Sequence, residues 1–567
     1  MNSPDSRGPL ARERNIRRLA DEAFDVPVIG GGVSGAAVAR DSARRGLKTA
    51  LIEAADFAQG TSSRSSRLVH GGLRYLEHFE FDLVFEASQE RRTLLRIAPH
   101  LVRPLEFLFP IFEDGRVGKL KLSAGLWLYD ALALFRNIER HQMLDAEEVL
   151  EIEPRLRSAG LLGGARYYDA QVDDARLVVT TVIAADEAGA AIASRVEAIE
   201  IDASDWPGHR VRAHDKETSR TIEIDALAIV NATGPWAETT LNRAGLTRTS
   251  RLVPSRGTHI HVPRERIGHD HAFIFEAPSD HRVMFVLPWR EDLTLIGTTD
   301  DFHEGPPESV AATPEDVGYL LDATNHLFPE ARLTRADVLS AWAGLRPLVA
   351  PADSAESGVE PDAGNVSREF EIHEEPGGLF TLMGGKLTSH RAMAEDTVDR
   401  VVEFLAGANV TPERKSDTAR VPLPGGNFDS LETLYDHVGT RAAALGVAPE
   451  GAARLARAYG SRAGAVLELV RDRPQLAAPI LPGRPHILAE AVHAVREEYA
   501  LRVEDVLYRR TRVGLETREG VAEAARRVAA VMGPELSWTQ ERVREEIERA
   551  VDARSADDLS LIEPTSH

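Results

Sequence analysis

The chain is 567 residues long, 43% hydrophobic and 28% charged, with a formal net charge of −22 and no cysteine. That length exceeds one hydrophobic core, so two or three domains are expected. The lack of thiols excludes disulfides, thiolate metal sites and a cysteinyl cofactor link, and the acidic balance argues against nucleic acid as a partner, because phosphate contacts need clustered basic residues.

Met1–Asp21 is polar and arginine-bearing without an apolar core region, so 1–21 reads as a mobile tail and not as a secretory signal. Val26-Pro27-Val28-Ile29 reads as a strand, although Pro27 removes a ladder donor from what should be a central position. Gly30, Gly32 and Gly35 then fit the G-x-G-x-x-G spacing, the small residues Ala36 to Ala43 suit a closely packed helix, and a second apolar stretch, Leu47 to Ile52, ends in Glu53. Strand, glycine turn, helix, strand and acid in that order form a dinucleotide fingerprint. The glycines let backbone approach a pyrophosphate, the helix N-terminus offers it N–H groups, and Glu53 accepts from an adenosine ribose.

Glu77–Leu95 reads as a helix. Leu120–Phe135 is apolar and aromatic but too short to span a bilayer, and it has two readings: a buried helix, or part of a surface that dips into lipid. Leu177–Ala188 looks helical, and Ala190–Val230 reads as strands around a polar hairpin, the last strand, Ile222–Val230, running into Ala232-Thr233-Gly234. His259–Val262, Val283–Leu287 and Leu293–Gly297 look like an antiparallel sheet forming one wall of a substrate cavity. Leu379–Met383 is a strand, Gly384-Gly385 a turn, and a helix is expected from Lys386 onward, with an apolar stripe through Ala394, Val398, Val401 and Leu405. A Pro/Gly-bearing linker, 408–427, leads to a region that is helical almost throughout and shows no chemistry of its own.

Gly60 to Leu76, GTSSRSSRLVHGGLRYL, resembles the FAD-dependent respiratory glycerol-3-phosphate dehydrogenase family. Asn231-Ala232-Thr233-Gly234-Pro235-Trp236, Gly297-Thr298-Thr299-Asp300, Gly344-Leu345-Arg346-Pro347 and Gly384-Gly385-Lys386-Leu387-Thr388 resemble it in the same order, and the similarity recurs at Glu504 to Thr511. The resemblance implies an α/β plus α fold. Its FAD-binding Rossmann-like domain, of the glutathione-reductase type within the DAO superfamily, would comprise 22–105, 165–245 and 341–407. An antiparallel-sheet substrate or cap domain would comprise 106–164 and 246–340, and a helical C-terminal domain 428–567.

The implied reaction oxidises sn-glycerol 3-phosphate to dihydroxyacetone phosphate by moving a hydride from C2 to flavin N5, with electrons passed to a membrane quinone. It needs a cationic phosphate clamp, and Arg74, Arg346 and Arg368 are the candidates, assisted by Lys386, with Arg391 a further one. A local cluster of this kind outweighs the diffuse acidic surface, which salt screens beyond about 8 Å. It needs a proton acceptor, for which His259 is preferred because arginine stays protonated. Tyr75 is placed at substrate or flavin.

For non-covalent FAD the expected contacts are Gly30, Gly32, Gly35 and Glu53; Thr61, Ser62 and Ser63, with Ser65 and Ser66 as further hydroxyl donors to the pyrophosphate; His70, Gly71 and Gly72; Ala232, Thr233 and Gly234; and Gly385, Lys386, Leu387 and Thr388, facing the pyrimidine end. No metal is expected. The expected setting is cytoplasmic, peripheral on the inner face of the cell membrane, with a homodimer left open. Two alternatives stand beside this reading: an oxidase that returns electrons to oxygen as peroxide, and a non-catalytic flavin-binding sensor or assembly protein.

Overall fold

Val26–Ile29 lies inside a six-stranded sheet ordered Phe370–Glu375, Leu379–Gly384, Ile229–Asn231, Val26–Ile29, Thr49–Glu53, Ala191–Ser194. Its strands are parallel except Phe370–Glu375, which pairs antiparallel at one edge. The computed structural model describes residues 8–203, 208–246, 252–349, 369–375 and 377–558. Pro27 is accommodated because pairing to Ile229–Asn231 begins only at Val28, while Val26 and Gly30 supply the N–H bonds to the other neighbour, at Lys48 and Ile52.

The glycine turn leads into α2 (Val33–Arg44), which follows α1 (Pro9–Asp21) in the chain. The small residues of α2 let it lie against both the helix Asp174–Glu187 and the helix His390–Leu405, in one apolar core with the parallel strands. Gly35 makes this approach feasible: a Cβ there would stand 1.9 Å from the carbonyl oxygen of Gly30.

The expectation of a mobile tail fails over Pro9–Asp21, where α1 buries Ala11 and Leu19 and Arg12 pairs with Asp215 at 2.6 Å. The polar composition hid a helix whose apolar residues fall on one face. Likewise, Ile222–Val230 is not one strand. Arg220–Ala226 belongs to a four-stranded sheet with Ala23–Phe24, His209–Asp215 and Val196–Asp202, and Ile229–Asn231 enters the parallel sheet.

The third sheet carries the antiparallel strands Leu252–Pro263, Val283–Trp289 and Leu293–Gly297, with Ser340–Val349 paired along the first of them. Val102–Phe112 and Leu161–Val172 belong to this sheet too, and they run across the boundaries expected at 105 and 165 because they pair with each other over almost their whole length. After α3 (Phe81–Ile97), the segment Leu120–Phe135 forms α4 (Lys119–Leu132) and a following turn. One face of α4 buries Leu122, Leu126 and Tyr129; the other leaves Leu120, Trp127 and Leu128 exposed. The chain closes in helices from Leu431–Ala444 to Gln540–Asp558 around two apolar clusters.

Candidate functional site

A cavity of about 880 Å³ runs from Glu53 and the glycine turn to the inner face of the third sheet, within the range of sites for small molecules and cofactors. At one end the carboxylate of Glu53 accepts from Gly31 N (2.6 Å) and Ala55 N (2.7 Å), while burial pushes its pKa up. Each oxygen keeps a lone pair for a further donor. α2 begins at the cavity wall with Gly32 as its N-cap, a residue without a side chain to cap it, so the positive end of its dipole faces the space. Ser62 Oγ accepts from Val33 N at 2.9 Å and keeps its own hydrogen to donate, whereas the Thr61 hydroxyl is committed to Leu345 O at 2.6 Å.

At the other end, antiparallel register sets Ser255 opposite Arg346. The guanidinium donates from Nη1 to Ser255 Oγ (3.1 Å) and Asp300 Oδ1 (3.0 Å), and from Nη2 to Thr298 Oγ1 (3.0 Å) and Thr299 O (3.2 Å). It passes over Gly257, where a Cβ would stand 2.4 Å from Nη2. His259, two residues along the same strand, stacks on Trp342 with ring centroids 5.8 Å apart and has its Nε2 2.9 Å from Ser66 Oγ. Burial, then the charges of Arg346 and Arg67, push the His259 pKa down to about 3, so the ring is neutral through the physiological range. Lys386 Nζ lies 4.0 Å from the ring centre of Tyr75, a cation–π contact, and both residues line the cavity.

Most of the residues expected at cofactor or substrate share this one cavity: Gly30, Gly32, Glu53, Thr61, Ser62 and His70 with Ala232, Thr233 and Gly234, then Gly385, Lys386, Leu387 and Thr388, and finally Tyr75, His259 and Arg346. Four others stand behind the wall. Gly35 sits under Gly30, and Ser63 is buried with its carbonyl turned to Arg512. Gly71 donates to Asp169 Oδ1 (2.9 Å) and is crowded by Tyr129 of α4, whose hydroxyl would be 2.2 Å from a Cβ; Gly72 has a φ of +82°. These glycines shape the loop.

Arg391 does not line the cavity; it pairs with Glu90 at 2.7 Å and with Glu395. Arg368 lies outside the described residues, as does the side chain of Arg74. Ser65 and Ser66, expected at a pyrophosphate, have other partners: Ser65 Oγ donates to Asp174 (2.7 Å) and Ser66 faces His259. The helix expected from Lys386 begins at His390, which leaves Lys386 to Thr388 as a turn on the cavity wall.

Several residues were not foreseen in these roles. Thr298 and Asp300 lie in the quoted Gly-Thr-Thr-Asp motif, which gave no hint of Arg346 as their partner. Glu197, held by Lys216 (2.8 Å) and Arg243 (2.6 Å), lines the cavity along with both partners and left no sequence signal.

A mostly parallel sheet with its glycine turn and terminal acid, sharing one cavity with the third sheet, defines a dinucleotide-dependent oxidoreductase. Residues 25–400 match the family described as FAD dependent oxidoreductase, and 416–543 match the C-terminal domain of alpha-glycerophosphate oxidase. The chain is 37% identical over 559 residues to glycerol-3-phosphate dehydrogenase 2 of Mycobacterium tuberculosis, covering 98% of this chain and 92% of that one. It is 34% identical over 551 residues to the aerobic glycerol-3-phosphate dehydrogenase of Staphylococcus saprophyticus, covering 96% and 97%. The crystal structure of glycerol-3-phosphate dehydrogenase from Bacillus halodurans complexed with FAD superposes with a TM-score of 0.80 at 31% identity, covering 100% of both chains. The chain belongs to the FAD-dependent glycerol-3-phosphate dehydrogenase family.

FAD fits the residues present. The Gly30 turn is too close to Ala232 O to admit a Cβ (2.6 Å), Glu53 and the α2 N-terminus provide an acceptor and a positive pole, and the turn at Lys386 provides a cation on the same cavity.

Proposed function

We propose that this protein oxidises sn-glycerol 3-phosphate to dihydroxyacetone phosphate and passes the electrons to a membrane quinone. The observation that carries this reading is the opening of Arg346, Lys386 and the Ser66–His259 pair onto the same cavity as Glu53 and the glycine turn. Bound FAD supplies the hydride acceptor.

Arg346 and Lys386 hold the phosphate; the guanidinium is already oriented by Ser255, Thr298 and Asp300, so little side-chain freedom is lost on binding. His259 Nε2, with Ser66 beside it, takes the proton of the C2 hydroxyl. A pKa near 3 is low for that task, but the charge of Arg346 is one of its causes. A phosphate dianion on Arg346 offsets that charge and raises the proton affinity of His259 once substrate is in place.

Support for a membrane acceptor comes from the surface. Leu120 is 87% and Trp127 55% exposed on α4, Leu134 and Phe135 follow it, Phe79 is 77% exposed on the neighbouring turn, and Lys119 and Lys121 are exposed alongside. Exposed apolar side chains on one helix and the turn packed beside it, with lysines alongside, suit the headgroup boundary of a membrane. No helix among the described residues is long and apolar enough to cross one. Turnover with glycerol 3-phosphate in the presence of a ubiquinone or menaquinone analogue tests the acceptor: quinone reduction without peroxide is expected, and stoichiometric peroxide with no quinone dependence would make the protein an oxidase.

A further inference from the structure

We propose that Arg512, in the helical C-terminal region, is a positioning residue for the Ser66–His259 pair, so that this region completes the active site. The inference rests on the reading above that the pair handles the substrate proton.

Arg512 is fully buried and takes a left-handed backbone conformation, φ +71°. Its Nη1 donates to Ser63 O at 2.8 Å and its Nη2 to the carboxylate of Asp174. Asp174, itself fully buried, uses its other oxygen to accept from Ser65 N (3.2 Å) and Ser65 Oγ (2.7 Å). Ser65 Oγ in turn accepts from Arg67 N at 3.0 Å. The turn from Ser63 to Arg67 is therefore fixed on both sides of Ser66, and Ser66 is the member whose hydroxyl reaches His259.

The same C-terminal stretch also reaches the strand that carries His259. Leu515 O accepts from Ser340 Oγ (2.6 Å) and lies 2.9 Å from His261 Nδ1, and His261 Nε2 is 3.1 Å from Arg67 Nη1. Arg67 lies over Trp342, the ring on which His259 stacks. One short segment thus sets the loop and the strand between which the Ser66–His259 bond is made.

A buried arginine paired with a buried carboxylate also matters for folding, since removing one partner strands the other charge. Two sets of variants of the full-length, FAD-loaded protein separate positioning from folding. In the first, Ser65→Ala is expected to lower kcat about tenfold while the KM for glycerol 3-phosphate, the ratio of flavin to protein and the melting temperature stay near wild type. Because Ser65 acts through Ser66, the double variant Ser65→Ala/Ser66→Ala should lose no more than Ser66→Ala alone, a non-additivity that a purely structural contact would not produce.

In the second set, Arg512→Lys should recover much of the kcat that Arg512→Met loses, again at unchanged KM. If Arg512→Met does not fold, Arg512→Lys against wild type decides, with a kcat loss at unchanged flavin content expected. Wild-type kcat in folded Arg512→Lys and Ser65→Ala, or losses that multiply in the double variant, would overturn the proposal. Anaerobic flavin reduction by glycerol 3-phosphate in the wild type is the control: its absence would remove the functional reading itself, independently of Arg512.

Discussion

Arg346 and Asp300 form an ion pair, 3.0 Å between Nη1 and Oδ1, at the wall of the cavity that also holds the glycine turn. The cation proposed for the phosphate is thus held in place by a neighbouring carboxylate. The pair fixes the direction of the guanidinium at the cavity wall, so a phosphate dianion arriving there meets an oriented cation and brings more charge than the single carboxylate.

Replacing Arg346 removes both functions. Arg346→Ala is expected to weaken binding of a non-reacting phosphate analogue by about 2–5 kcal/mol, the scale for deleting one partner of a desolvated charge pair. Arg346→Lys should recover only part of this, since an ammonium cannot reproduce the planar fork. Perturbation of the flavin spectrum by the analogue gives the Kd; an unchanged Kd would remove Arg346 from the clamp.

Glu53 accepts one backbone N–H on each oxygen and faces the cavity. Glu53→Ala is expected to purify with less FAD yet remain folded, because the strand it ends is buried by Leu51 and Ile52 and does not depend on the carboxylate. The loss is on the order of 1.5–3 kcal/mol for hydrogen bonds to a charged group, read as the ratio of flavin to protein absorbance. Full flavin content would contradict it.

The two pH profiles of turnover should differ. The profile of kcat/KM reports the free enzyme, where His259 titrates at about 3, and that of kcat reports the substrate complex. With phosphate on Arg346, the acidic limb of kcat is expected at higher pH than that of kcat/KM, and Arg346→Ala should bring the two limbs together. Coincident limbs in the wild type would argue against coupling between clamp and base.

Stability should fall on mild acidification. His100 and His259 are pushed down by burial to about 3, and His269 and His390 to about 4, from an ordinary value of 6.5. Between those values the unfolded chain binds protons that the native state refuses, so the stabilisation is complete above about 6.5 and is lost as pH falls toward 4. Asp41 and Glu90, raised by burial, oppose this just above the ordinary carboxylate range. A lower urea midpoint at about pH 5 than at about pH 7.5 is expected; a higher one would show that the raised carboxyls dominate.

The apolar face of α4 gives a separate prediction. Leu120→Glu and Trp127→Glu each remove an exposed apolar side chain, on the order of 1.5–3 kcal/mol of burial in a lipid interface. Vesicle co-sedimentation should drop roughly tenfold or more per substitution, while anaerobic flavin reduction by substrate is unchanged. Equal vesicle binding by both variants and the wild type would move the membrane contact elsewhere.

The glycine-turn half of the candidate site was legible because its signal is local: glycine spacing, small helix residues and a terminal acid fall within one βαβ unit, and their spacing along the chain is itself the signal. The substrate half was legible only in part. Arg346 was quoted in its motif, but Ser255, 91 residues away, reaches it through strand register, which no spacing along the chain encodes. Arg512 reaches Ser63 across 449 residues; it stands one position beyond the Glu504-to-Thr511 stretch, whose resemblance says nothing about a contact with the loop at Ser63. The N-terminal helix was missed for a related reason: its charge pattern makes sense only beside Asp215, which accepts from Arg12.

The most direct test is the addition of sn-glycerol 3-phosphate to the purified protein under anaerobic conditions while its visible spectrum is followed. Full bleaching of the yellow flavin band, with one dihydroxyacetone phosphate formed per flavin, is the expected result. A colourless protein that takes up no FAD, or a flavin band that the substrate leaves untouched, would contradict the account.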